Sequence, residues 1–199
     1  MFSMCRFFPY TAVDNTGKPD ISNSIKFLTP ATGQEELTSI SIELSQEKST
    51  KTKRADNRVK RDEVLVGLNG KITAYGIDFD ALAAITNSFV KDATASAFDF
   101  VAPASGNPRG VFYYHAKTGD GKKYNVWLYD VEFETPNLPA EQESEDPQTI
   151  ELNFFAAKFK YGTKVVIGRF VPEGATGYLE DGVEPTASNL PAPAATTGV

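Results

Sequence analysis

The chain predicts a mainly β protein of the sandwich or barrel kind, with one flanking helix at about residues 78–90 and long loops. Three observations predict it. Residues 111–159 hold three strand-like runs, two of them joined by a tight glycine turn. Residues 38–44 and 63–68 alternate between apolar and polar side chains, the period of a half-buried strand. Only residues 77–90 change to the helical period. With 199 residues and 41% hydrophobic content the chain can bury one sizeable core and is short for two ordinary domains. Residues 1–171 are therefore read as a single domain, and 172–199, rich in Pro, Ala and Gly, as a flexible tail.

Taken in order, residues 1–37 read as an irregular segment with one short strand at 24–28, before the turn Pro30-Ala31-Thr32-Gly33. The opening MFSMCRFFPY is apolar, but Arg6 interrupts it, Pro9 follows, and no small-residue cleavage site precedes the polar run beyond, so it is not read as an export signal. Ile40, Ile42 and Leu44 alternate with Ser39, Ser41 and Glu43 as the first secure strand. In residues 45–62 the cations Lys48, Lys51, Lys53, Arg54, Arg58, Lys60 and Arg61 stand almost without apolar company. Such a run is expected to be a mobile loop or an extended hairpin tip until a partner holds it. Its plain reading is a solvated loop, and its sharper readings are a nucleic-acid contact or a docking arm for an acidic protein surface. The absence of interleaved aromatic residues for base stacking counts against nucleic acid.

Val64, Val66 and Leu68 mark the next strand, with a bend expected at Asn69-Gly70, and the two strands flanking the basic run are expected to pair antiparallel. In the helix that follows, Leu82, Ile85, Thr86 and Phe89 share one stripe, and Asp78 or Asp80 can cap the N-terminus. Residues 91–110 read as a polar linker, a short run at 97–101, and a Pro/Gly loop. The run 111–117 then enters Thr118-Gly119-Asp120-Gly121, whose glycines supply the positive φ of a tight hairpin. On the return strand Trp127, Tyr129, Val131 and Phe133 are expected to share a core face. The other face passes from Val126 and Leu128 to Asp130, Glu132 and Glu134. A third strand puts Ile150, Leu152, Phe154 and Ala156 on one face and Glu151 and Asn153 on the other; pairing of these strands would gather Asp130, Glu132, Glu134 and Glu151 together. A last strand at 163–170 is expected to hairpin onto its predecessor through Tyr161-Gly162.

Little in the sequence carries chemistry. A net charge of −6 argues against nucleic-acid binding by overall charge. One cysteine, Cys5, and one histidine, His115, provide too few ligands for a structural zinc or multi-histidine site. His115, embedded in a strand, reads as structural, and Gly119-x-Gly121 is explained by turn geometry. The run Glu141, Glu143, Glu145, Asp146 lacks the spacing and the turning glycine of a calcium loop. No catalytic residue, cofactor or metal is expected, nor a membrane span, because no run of about 18 apolar residues occurs.

The order of elements and the block VFYYHAKTGDGKKYNVWLYDVEFETPNLPAEQESEDPQTIELNFFAAKF resemble the major tail protein (tail tube protein) family of bacteriophages with long flexible tails. The most specific part is the strand and acidic loop leading into Pro147-Gln148-Thr149, followed by Leu152, Phe154 and Ala156. The resemblance covers about residues 35–170; the opening MFSMCRFFPY and the Pro/Ala-rich end do not match the family. It implies a tube-protein fold and subunits that form hexameric rings stacked into a hollow conduit for DNA. It also implies a place in the virion tail after assembly in the bacterial host cytoplasm, with tape-measure and terminator proteins as partners and DNA passing without specific binding. In such a tube the cations 48–61 would be an assembly loop facing the acidic run 141–146, and Asp130, Glu132, Glu134 and Glu151 would face the lumen. The alternative is a non-catalytic β-sandwich module that binds carbohydrate or peptide on a platform of Trp127 and the tyrosines. An enzyme is the weakest reading.

Overall fold

The structure, a computed structural model, describes residues 5–14, 17–21, 25–27, 40–55, 58–75, 79–92, 94, 97–102, 105–136 and 149–193. It is mainly β, with one short α-helix among the described residues. The elements are β1 (Cys5–Val13), β2 (Pro19–Ile21), β3 (Ile25–Phe27), β4 (Ile40–Ala55), β5 (Arg58–Tyr75) and α1 (Phe79–Ile85). There follow β6 (Phe89–Asp92), β7 (Ala97–Phe100), β8 (Arg109–Lys117), β9 (Lys123–Phe133), β10 (Thr149–Ala157), β11 (Phe159–Tyr161), β12 (Lys164–Val166) and β13 (Gly168–Pro172). A nine-stranded sheet runs β2-β1-β8-β9-β10-β5-β4, with β3 also on β1 and β13 also on β9; β6–β7 and β11–β12 form separate two-stranded sheets.

The centre of the sheet is apolar on both faces because the middle stretches of β8 and β9, Val111 to Tyr114 and Val126 to Tyr129, are apolar at every position. Phe112, Tyr114, Val126 and Leu128 face one core, which α1 and β6 close with Leu82, Ile85 and Phe89. Val111, Tyr113, Trp127 and Tyr129 face a second core, which β11 and the C-terminal segment close with Phe159 and Leu190. The expected hairpin joins β8 to β9, with Gly121 at φ 87° and Thr118 bonded to Lys122 across the turn.

The expectation that Trp127, Tyr129, Val131 and Phe133 share a face fails at one point. Phe112 pairs with Leu128, but Gly110 pairs with Val131, so β9 carries an extra residue opposite Val111. A bulge of this kind breaks the two-residue alternation. Val131 and Phe133 therefore join the first core, while Trp127 and Tyr129 stay in the second.

Four other expectations are revised. Residues 5–13 are not irregular: Cys5–Val13 is a sheet strand with Cys5, Arg6, Phe7 and Phe8 buried. The helix ends at Ile85 rather than near residue 90. There Thr86 closes its last turn by bonding Leu82 O through both its amide and its hydroxyl. The Asn87 side chain then donates to Gly106 O and Ser105 Oγ, and its backbone N–H donates to Asn107 Oδ1, which redirects the chain into β6 with Phe89 still buried. No bend occurs at Asn69-Gly70, since β5 runs straight through. Gly70 is there because the Phe154 ring of the paired strand lies on its Cα, where a Cβ would collide with it. Finally, β13 pairs with β9, and only the short β11 and β12 form the hairpin at Gly162.

A candidate assembly surface: polar sheet face, ribbon and strap

The strands β4, β5, β10 and the end of β9 are apolar on one side only. On the other, register places Glu43 beside Lys71, Lys71 beside Asn153, and Glu151 beside Thr73. Glu134, whose amide bonds Asn153 O, completes a polar row across four strands. The row lines a groove of about 460 Å³. Lys71 Nζ lies 2.9 Å from Glu151 Oε1. That hydrogen bond, reinforced by the charges of Glu151 and Glu43, holds the ammonium above its ordinary range.

Strand alternation and register put Glu132, Glu134 and Glu151 on this face. Glu134 and Glu151 are exposed and Glu132 is half-buried. Asp130 differs, being only 6% exposed. Arg109 donates to it through Nε at 2.9 Å and also through Nη2. Burial raises the Asp130 carboxyl above its usual range against the pull of Arg109. It is an ion-paired group beside the bulge, not a group standing free on the surface. Sequence reasoning missed Lys71 and Arg109, because the pairing that brings them to the carboxylates is set by strand register.

Of the two forms expected for the basic run, a mobile loop or an extended hairpin tip, the structure has the hairpin. Past a bulge at Glu47/Lys48, residues 48–55 pair only with residues 58–65, from Lys48↔Leu65 to Ala55↔Arg58. The ribbon therefore runs about 25 Å beyond the sheet at ~3.3 Å per residue. Lys48 is half exposed and lies 3.4 Å from Glu63. Lys51, Lys53, Arg54, Arg58, Lys60 and Arg61 lie along the ribbon backbone, and their side chains fall outside what the structure describes, as do residues 137–148 with the acidic run Glu141, Glu143, Glu145, Asp146.

The C-terminal segment expected to be flexible is held to the sheet by contacts that run from Leu179 to Ala192. Buried Asn125 bonds both backbone groups of Leu179, donating to its carbonyl at 3.1 Å and accepting from its amide at 2.5 Å. Tyr129 donates to Pro191 O at 2.6 Å, and Arg169 donates to Ala192 O. Arg6, 2% exposed, reaches Glu184 with Nε at 2.5 Å and Nη2 at 2.7 Å. These anchors make residues 173–193 a strap over the second core.

His115 belongs to the strap's fastening. Its Nδ1 lies 2.9 Å from Asp181 Oδ1 and its Nε2 lies 2.5 Å from the Tyr113 hydroxyl. Lys123 takes the other Asp181 oxygen at 2.9 Å. The hydrogen bonds from Lys123 and His115 hold the Asp181 carboxyl below its ordinary value of 3.8. Burial drives the Tyr113 hydroxyl above its usual range and keeps it neutral. Among the described residues no group of three or more His, Cys, Asp or Glu is placed to hold a metal ion. No helix among them is long and apolar enough to cross a membrane. Trp127 is fully buried and stacks on Phe8, so it is not available as the surface aromatic of a carbohydrate- or peptide-binding platform.

No protein-family model matches the chain, and no curated protein matches it. Among solved structures, the Hcp1 protein from the E. coli EAEC 042 pathovar, in a doubly mutated form, aligns with 83% of this chain and 97% of its own at 9% identity. The TM-score is 0.30, at which the likeness carries no argument about fold or function.

Proposed function

We propose that this chain is a non-enzymatic structural subunit, the major tail tube protein of a phage with a long flexible tail. It assembles with copies of itself into hexameric rings that stack into a DNA conduit. The observation that carries the reading is the ribbon of residues 48–65, which among the described residues pairs only with itself as it runs past the end of the sheet. An isolated two-stranded ribbon is at best marginally stable in water, so an arm of this length gains stability when another surface receives it. The sequence resemblance over residues 35–170 supplies the kind of assembly, and the cations of the arm supply a means of attraction to the acidic surface of a neighbouring subunit.

In this reading Glu132, Glu134 and Glu151 turn toward the lumen. A wall of like charge repels the phosphates of passing DNA and keeps it from sticking. Tape-measure and terminator proteins are the further partners, and the phage virion is the place of work. Sedimentation velocity over a range of protein and salt concentrations tests the proposal. Ring-sized species that dissociate as salt rises are expected, because exposed charge pairs are screened over about 8 Å at physiological ionic strength. A monomer at every concentration contradicts it.

A further inference from the structure

Two exposed apolar surfaces lie on different parts of the chain. The first is an aromatic knob on α1 and the β6–β7 pair, where Phe79 is 43% and Phe100 is 65% exposed. Both are backed by rings that fix them: Phe79 lies 5.5 Å from Phe98 and 5.9 Å from Phe89, and Phe100 lies 5.2 Å from Phe89. Phe89 is buried in the first core, so the knob is anchored and loses little freedom on docking. The second surface is a groove of about 510 Å³ where the base of the ribbon meets β12 and β13. Leu44, Leu65, Leu68, Val165, Ile167 and Phe170 line it. A volume of that order is in the range of sites that take ligands of roughly 300–1,000 Å³, ample for aromatic side chains.

The charges around the two surfaces differ in sign. Lys158 is the charged residue among those lining the groove. The knob carries Asp80, Asp92 and Asp99 against Lys91, which pairs with Asp80 at 2.6 Å. Knob against knob, or groove against groove, would bring like charges together, whereas knob against groove brings acidic to basic.

We propose that the groove takes the Phe79/Phe100 knob of a second copy of this chain. The contact is heterologous, since each copy offers a knob and receives one, and it therefore propagates until it closes into a ring or runs on as a filament. The proposal rests on the self-assembling reading and names a contact surface for it.

A mixing experiment tests it. Phe100→Cys is prepared in one batch and Val165→Cys in another, each with a distinguishable mass. Cys5 is fully buried and does not compete for oxidant. On mixing and oxidation a disulfide dimer holding one copy of each variant is expected, and neither batch alone should give one. In parallel, Phe100→Asp, at a site already two-thirds exposed, should keep the wild-type circular dichroism yet self-associate at least tenfold more weakly. If the wild type assembles but the mixed dimer is absent, homotypic dimers dominate, or Phe100→Asp associates as tightly as the wild type, the knob-and-groove contact is overturned while the tube reading stands. If the wild type never self-associates, both are overturned.

Discussion

Arg6 is the largest charged side chain in the interior, and its partner comes from the far end of the chain, so Glu184→Ala is a sharp test of the strap. In the wild type the guanidinium bonds Glu184 twice and Cys5 O once. The substitution removes both charge-assisted bonds and leaves a cation that is 2% exposed with a single carbonyl acceptor. Each hydrogen bond to a charged group contributes about 1.5–3 kcal/mol, and breaking a buried pair from one side typically costs about 3–5 kcal/mol. Glu184 is itself 52% exposed, so water can enter where its carboxylate stood and the cost falls to about 2–4 kcal/mol. For a chain of this size about 1 kcal/mol moves Tm by roughly 2–4 °C, which puts the expected loss at about 4–16 °C. Trp127, the only tryptophan, lies in the core that the strap covers and reports the transition by fluorescence. Arg6→Met in the Glu184→Ala background should recover most of the loss, because no charge is then stranded. A Glu184→Ala protein that melts within about 1 °C of the wild type would show that the strap does not neutralise Arg6.

Three further outcomes follow. Cys5 is fully buried and desolvation pushes its thiol up to about 12, so the native protein should resist thiol reagents at pH 8 and react only on unfolding; prompt labelling of native protein would place β1 at the surface. Asp181, held below 3.8 in the folded state, contributes stability that is fully present above that pH and is lost as pH falls through its lowered value. The Tm gap between wild type and Asp181→Asn should then be constant above about pH 4 and shrink below it, whereas a gap unchanged down to pH 2 would remove Asp181 from the fastening. Asp130, raised by burial, acts in the opposite sense in both proteins and cancels in that comparison. Replacing Lys51, Lys53 and Arg54 by Ser should leave the melting curve unchanged and abolish higher-order assembly; unimpaired assembly would take the ribbon out of the interface.

How much the sequence revealed depended on whether the cause was local. The β8–β9 hairpin was legible because both its signals, the Thr118–Gly121 turn and the flanking apolar runs, sit within a few residues. The bulge opposite Val111 was not, since one inserted residue leaves the composition unchanged while reversing the facing of all that follows it. Strand β1 was hidden by Arg6, which looks like an interruption until Glu184 arrives from 178 residues away. The strap is poor in core residues and reads as flexible, yet single anchors such as Asn125 and Tyr129 hold it by its backbone. The ribbon could be read only as a loop or an extended hairpin tip because its side chains are polar, whereas ladder pairing asks only for backbone. Of the carboxylates, alternation was enough to group Glu132, Glu134 and Glu151, and it could not show that Arg109 buries Asp130.

The central claim, that this chain builds a tube from copies of itself, is tested most directly by electron microscopy of the concentrated wild-type protein at low salt. Rings of uniform diameter with a central hole, stacking end to end into hollow tubes, are the predicted result. Fields of single compact particles with no rings, at concentrations where the protein is folded, would contradict it.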